Sequence, residues 1–67
     1  MDPNANRDEQ LRLASGLMFQ AENARQYMAS YISPADVLRL AELVIKMDHW
    51  ITAGGFLPSA WLRTDSA

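Results

Sequence analysis

The stretch from Ser33 to Leu57 constrains the fold most, because both ends of an amphipathic helix are marked in it. Ser33 is a typical N-cap, and Pro34 follows at the first helical position, where a missing N–H costs nothing. At the other end, Gly54 can take the left-handed conformation that closes a helix. These signals predict a helix over about residues 34–53.

The apolar band of this helix is wide. A line of apolar positions at three-four spacing runs along the helix, with further apolar residues on both sides. An ordinary surface helix carries an apolar stripe of somewhat over 100°, whereas this band covers roughly 200°. We therefore expect neighbours on two sides. The expected self-association or partner interface consists of Val37, Leu40, Val44, Met47, Asp48, Ile51, Trp50, Phe56, Leu57 and Trp61.

The preceding residues predict a first helix over about residues 7–31. Asn6 and Glu9 have the spacing of a cap pair, and a start at Asp2–Pro3 satisfies the same rules. The predicted inner stripe of this helix has three-four spacing and is rich in alanine, so that a partner backbone can approach closely. It consists of Leu11, Ala14, Met18, Ala21, Arg25, Met28 and Ile32.

The fold class predicted from these two helices is all-α, an antiparallel two-helix hairpin with a short apolar C-terminal tail. The chain is one helical domain over residues 1–67, with residues 1–6 and 63–67 expected to be loose ends. With 67 residues and no cysteine, such a chain buries only about 60% of its unfolded surface and has no disulfide to support it. We therefore expect a homodimer in the form of a helical bundle.

A short connection between the helices predicts that residues whose numbers sum to about 66 or 67 meet across the hairpin. Leu17 would then face Trp50. Arg25, which interrupts the first stripe, would face Glu42 in a polar seam, and the alternative for Arg25 is a contact with another chain.

Asp48 lies near the centre of the apolar band. A buried, unpaired carboxylate is costly, so Asp48 needs water or a partner. Candidate partners are the indole N–H of Trp50 or Trp61, the hydroxyl of Ser15, or a basic residue of a second copy. We interpret Asp48 as a polar group that sets the register at an interface or near its rim. No second acid or base has a suitable spacing, and the neighbouring His49 points about 100° away on the helix, so no catalytic residue is predicted.

Composition excludes several other classes of protein. The absence of cysteine and the single histidine exclude the usual zinc sites, and we expect no metal or cofactor. A net charge of −2 argues against broad attraction to nucleic acid. No apolar run approaches the roughly 20 residues of a membrane span, and no secretory signal is visible.

The tail supplies a dense group of large apolar residues near one end of the hairpin: Trp50, Phe56, Leu57, Trp61 and Leu62. Such residues suit the open end of a two-helix core, which they would cap. They are equally suited to bind a partner, because tryptophan and tyrosine are enriched in binding hot spots. Both interpretations stay open at the level of sequence.

One resemblance involves the second half of the chain. The run Asp48-His49-Trp50-Ile51-Thr52-Ala53-Gly54-Gly55-Phe56-Leu57-Pro58, followed by Trp61, resembles a pattern in small uncharacterised proteins of actinobacterial phages. There a helix ends in acidic-x-Trp-x-x-x-Gly-Gly-Phe-Leu-Pro. The resemblance implies a phage or prophage origin and a cytoplasmic setting in the host, and it implies no activity.

The function predicted from these features is that of a small non-enzymatic interaction protein, phage-encoded, which binds or modulates a host or phage protein through a helical face. The alternative is a small nucleic-acid-binding regulator that acts as a helical dimer. A helix, a tight turn and a second helix are reminiscent of DNA-binding motifs, but Arg39 and Lys46 stand beside Glu42 and form no basic cluster.

Overall fold

The computed structural model describes residues 1–27 and 32–62, and in the first range it describes the side chains of residues 1–23. Helix α1 spans Pro3–Tyr27, helix α2 spans Pro34–Thr52, and a 3-10 turn spans Ser59–Trp61. The two helices pack against each other, and the described residues contain no strand. The predicted all-α hairpin with a C-terminal tail is confirmed.

The start of α2 follows the capping signals in the sequence. Ser33 has extended backbone angles, and its hydroxyl accepts a hydrogen bond of 3.3 Å from the backbone N–H of Asp36. Pro34 takes the first helical position. The cap therefore satisfies one of the N–H groups that the first turn leaves without a helical partner.

The end of α2 is a Schellman motif. The N–H of Gly55 donates to the carbonyl of Trp50 at 2.8 Å, and the N–H of Gly54 donates to the carbonyl of Ile51 at 3.0 Å. Gly54 has a φ of 96°, a value that costs glycine little and other residues much. The predicted closure of the helix by Gly54 is thus confirmed.

Helix α1 starts earlier than residue 7. The carboxylate of Asp2 accepts hydrogen bonds from the N–H groups of Asn4, at 2.9 Å, and Ala5, at 3.3 Å. Pro3 is the first residue of the helix, inside the segment that was expected to be a loose lead. The start at Asp2–Pro3 is therefore correct, and the cap pair of Asn6 with Glu9 is wrong.

The core of the described residues is small. Its buried hydrophobic residues are Leu13, Leu43 and Met47, and Asn6 is a buried polar residue among them. The predicted inner stripe of α1 is wrong, because Leu11 is half-exposed and Met18 is 74% exposed. Leu13 is buried instead, and the buried Asn6 lies on the same side of α1.

The register of the hairpin also differs from the prediction. The side-chain amide of Asn6 donates a hydrogen bond of 3.1 Å to the carbonyl of Leu43, so residues whose numbers sum to about 49 meet, not 66 or 67. Near the other end, the backbone N–H of Ser33 donates to the side chain of Gln20 at 2.9 Å. The expected pairing of Leu17 with Trp50 is therefore wrong.

The molecule is flat and extended. Its extents are 44 × 30 × 15 Å, and its radius of gyration is 15.1 Å. A compact domain of this length has a radius of gyration of about 11 Å. The hairpin is therefore a single layer of helices, whereas domains are usually built from two packed layers. Among the described residues, neither α1 nor α2 is a candidate membrane span.

Candidate interaction surfaces

One broad side of the hairpin is apolar. Each helix turns by about 100° per residue, and the ion pair of Glu9 with Arg39 marks one side of the interface between the antiparallel helices. Residues of both helices at the opposite angular positions therefore share the other side. We call this surface the apolar face: Leu11, Ala14, Met18, Ala21, Val37, Leu40, Ala41 and Val44.

The position of the apolar face explains why the predicted stripes do not form the interface between the two helices. The stripes of α1 and α2 are real, but they lie side by side on one surface and do not face each other. Val37 and Val44, at the predicted centre of the α2 band, are both about half-exposed, and Leu40 is half-buried. Packing between the helices uses the neighbouring line of Leu43 and Met47, which are both buried.

The opposite side of the hairpin is charged, and its charges pair with each other. Arg39 donates two hydrogen bonds to the carboxylate of Glu9, from Nε at 2.9 Å and from Nη2 at 3.0 Å. Arg12 lies 3.8 Å from the same carboxylate, and Glu42 lies 3.6 Å from Arg39. The hydrogen bonds between Arg39 and Glu9 lower the pKa of Glu9 and raise the pKa of Arg39. Glu42 therefore has a partner other than the predicted Arg25, whose side chain lies outside the described residues.

A shallow hollow of about 220 Å³ lies on this charged side. Its floor contains Asn6, whose amide donates to the carbonyl of Leu43 and whose oxygen accepts from Gln10 at 2.6 Å. The described buried side-chain nitrogen and oxygen atoms all have a hydrogen-bond partner. The hollow therefore presents no free buried polar group to a substrate. It is lined by Met1, Asp2, Ala5, Asn6, Glu9, Arg39, Leu43 and Lys46.

The tail forms a second exposed apolar surface, which we call the aromatic corner: Phe56, Leu57, Trp61 and Leu62. The indole N–H of Trp50 donates to the carbonyl of Phe56 at 2.9 Å, and the two rings meet edge to face with centroids 5.5 Å apart. Gly55 is needed between them, because a Cβ at this position would overlap the indole ring. Phe56 itself is 63% exposed.

The tail is held on its own chain at the start of α1. The backbone N–H of Ser59 donates to the side-chain oxygen of Asn4 at 2.7 Å. Pro3 and Pro58 are fully buried. The aromatic corner is thus fixed relative to the hairpin by its own chain and does not need a second copy for its position.

The other predicted site residues are distributed over different surfaces. Asp48 and His49 are both exposed, and the indole of Trp50 bonds to Phe56 and not to Asp48. Ile51 and Trp50 are half-buried. Within the described ranges, no group of three or more histidine, cysteine, aspartate or glutamate residues is placed to hold a metal ion.

Sequence reasoning missed the polar residues that hold the hairpin together. Asn6, Gln10, Leu13, Leu17 and Gln20 follow one line at four-three spacing, which is the inner face of α1. Three of these five residues are polar, so a search for apolar periodicity passes over the line. The signal was the spacing of amide side chains together with Leu13.

Comparisons with protein-family models, with curated proteins and with solved structures gave no match to this chain. The function is therefore argued from the surfaces described above.

Proposed function

We propose that this chain is a small non-enzymatic interaction protein, encoded by a phage as its resemblance implies, that binds a protein of the host or phage in the host cytoplasm. One observation carries the proposal, the imbalance between core and surface. The described part of the chain buries three large hydrophobic side chains, whereas thirteen are more than a third exposed. Four of these thirteen, Phe56, Leu57, Trp61 and Leu62, lie within seven residues of the tail, and an exposed apolar cluster of this kind is typical of a protein–protein interaction site.

The aromatic corner is the surface through which the chain binds this protein. Phe56 and Trp61 are large, exposed and aromatic, and aromatic side chains are typical anchors of protein interfaces. The Schellman motif and the Trp50–Phe56 hydrogen bond hold the segment in place. A preformed anchor loses less conformational entropy on binding, which favours affinity.

The distribution of titratable groups supports a non-enzymatic role. General acid–base catalysis requires a titratable side chain placed beside a substrate site, with a pKa suited to the reaction. In the described ranges, the carboxylates of Glu9 and Glu42 are paired with Arg39, and Asp48 is exposed and does not line the hollow beside Glu9. The same pairing weakens the case for nucleic acid, because Arg12 and Arg39 already neutralise carboxylates.

Affinity capture from the lysate of an actinobacterial host tests this proposal. The immobilised chain is expected to retain one host or phage protein at a stoichiometric level. Phe56→Ala and Trp61→Ala should abolish retention, since each removes an anchor of the aromatic corner. Phe19→Ala is the matched control, because Phe19 is an equally exposed aromatic residue on α1, and this variant should retain the partner.

Two results would contradict the proposal. Retention of the same protein by all three variants would exclude the aromatic corner as its binding site. Recovery of nucleic acid with a steep dependence on salt, and of no stoichiometric protein, would favour the regulator instead.

A further inference from the structure

The apolar face is a separate surface from the aromatic corner, and the hairpin leaves it open to solvent. We propose that a second copy of this chain covers the apolar face, so that two hairpins form a four-helix bundle. This inference goes beyond the proposed function, because it assigns an occupant to a different surface. It also leaves the aromatic corner free for another protein.

The accessible surface area of the chain is the first argument. The chain exposes 5275 Å² at a mass of 7.5 kDa. A compact protein of this mass exposes about 4,200 Å², so that the excess is roughly 1,000 Å². A standard protein–protein interface buries about 800 Å² on each partner. One interface of ordinary size per chain would therefore bring the exposed area to the value of a compact protein.

The shape of the molecule is the second argument. The hairpin is one layer of helices with a radius of gyration of 15.1 Å. A helix that packs on one neighbour only cannot bury a wide apolar band, and stable helical domains supply a second layer. A second hairpin laid on the apolar face provides that layer in the arrangement of an antiparallel four-helix bundle.

The composition of the apolar face suits contact between identical surfaces. It alternates larger side chains, such as Leu11, Met18 and Val44, with the small residues Ala14 and Ala41. In a twofold dimer the same surface occurs on both partners, so that large residues of one copy can lie over small residues of the other. Such alternation lets helices interdigitate at a close distance.

The distribution of charge on the hairpin favours a second copy over a charged partner on the apolar face. Arg7 and Arg25 lie at the two ends of the α1 line that carries Leu11 and Met18, so two copies can meet over the uncharged stretch between them without burying like charges. The ion pairs of Glu9, Arg12, Arg39 and Glu42 lie on the opposite side and would stay in water on the outside of the bundle. Asp48, which is exposed in the single chain, lies one turn after Val44 on the same side of α2, so it would need water or a basic partner in the dimer.

Sedimentation equilibrium of the full chain at low micromolar concentration is the direct test, and the mass of two chains is expected. Val44→Asp should weaken association at least roughly 100-fold, because an unpaired carboxylate would be buried in each copy. Phe19→Asp is the control, because it also introduces a carboxylate. Phe19 lies about 100° from Met18 around the axis of α1, off the apolar face. Phe19→Asp and Lys46→Asp should both leave the dimer intact.

Thiol labelling keeps the test independent of the stability of Val44→Asp. The chain contains no cysteine, so single-cysteine variants report one position each. Maleimide should label Val44→Cys more slowly as the protein concentration rises, because association buries the thiol. Phe19→Cys, the matched control, should label at the same rate at every concentration.

The outcomes separate this inference from the proposed function. A particle with the mass of one chain at all concentrations, or a dimer with wild-type affinity in Val44→Asp, would overturn the inference. A monomer that still retains a host protein through the aromatic corner would overturn the dimer alone. A dimer that retains no protein would leave the dimer standing and contradict the proposed function.

Discussion

The side-chain amide of Asn6 donates a hydrogen bond of 3.1 Å to the backbone carbonyl of Leu43, across the interface between the helices near the start of α1. Asn6 is 5% exposed and Leu43 is 3% exposed. A buried amide has a large free-energy cost if its hydrogen bonds are lost, so any slip of α1 along α2 is opposed at this point. The bond therefore sets the register that places the two apolar stripes on one side of the hairpin.

Replacement of Asn6 should test this role. Asn6→Ala leaves Gln10 without its acceptor and should lower the free energy of unfolding by about 1–3 kcal/mol. Asn6→Asp should cost more at neutral pH, because a carboxylate would face the carbonyl oxygen of Leu43. Chemical denaturation measures both values. Asn23→Ala is the control on the same helix and should be neutral or slightly stabilising, and an equal loss in this control would contradict the assignment.

The ion pair of Glu9 with Arg39 should make stability depend on pH. The hydrogen bonds from Arg39 hold the pKa of Glu9 below its ordinary value of 4.5 in the folded chain. A lowered pKa stabilises the fold above the pKa of the unfolded state, so this contribution is present at neutral pH. It is lost as the pH falls below 4.5 and through the folded pKa.

Two measurements check this pH dependence. An NMR titration should give a Glu9 pKa below 4.5 in the wild type and a value closer to 4.5 in Arg39→Gln. Thermal melts should show Glu9→Gln less stable than the wild type at neutral pH, with the difference disappearing in acid. Because both side chains are partly exposed, the effect should be modest and should shrink in high salt. A difference that persists at low pH would contradict the ion pair as its cause.

The three glycines should respond differently to replacement by alanine. Gly55→Ala places a Cβ in the indole ring of Trp50, and we expect a loss of roughly 1–3 kcal/mol and a shifted tryptophan emission. Gly54→Ala forces a side chain into positive φ and should cost about 1 kcal/mol. Gly16 lies within α1 with open space around it, so Gly16→Ala should stabilise by up to about 1 kcal/mol. Thermal and chemical denaturation rank the three variants, and the same sign for all three would contradict these local assignments.

Prediction from sequence succeeded where the signals are local. The ends of α2 depend on Ser33, Pro34 and Gly54, each of which acts on its own turn of helix through a hydrogen bond or a backbone conformation. The start of α1 was predicted less well, because Asn6 and Asp2 both suit a cap position. The choice between them depends on Leu43, which takes Asn6 as a partner and is far away in the sequence.

Prediction of the candidate site from sequence was incomplete for a related reason. The wide apolar band of α2 was recognised, and so was the apolar stripe of α1 with Leu11 and Met18. Which of these residues the hairpin would bury was not predicted, because apolar periodicity carries no information about the polar contacts that compete for the interface. The aromatic corner was left with two interpretations, and Trp61 and Phe56 are both exposed in the structure.

Residue patterns alone predicted the two amphipathic helices, the start and end of the second, and more apolar surface than a single hairpin covers. Those properties follow from backbone conformation, capping and residue spacing, which act within a few residues. The register of the hairpin and the side of each helix that faces inward became clear from the folded chain and not from the residue patterns. Both depend on long-range bonds of Asn6 and Glu9 with α2, whose free energies are comparable to the differences between alternative packings of the same two helices.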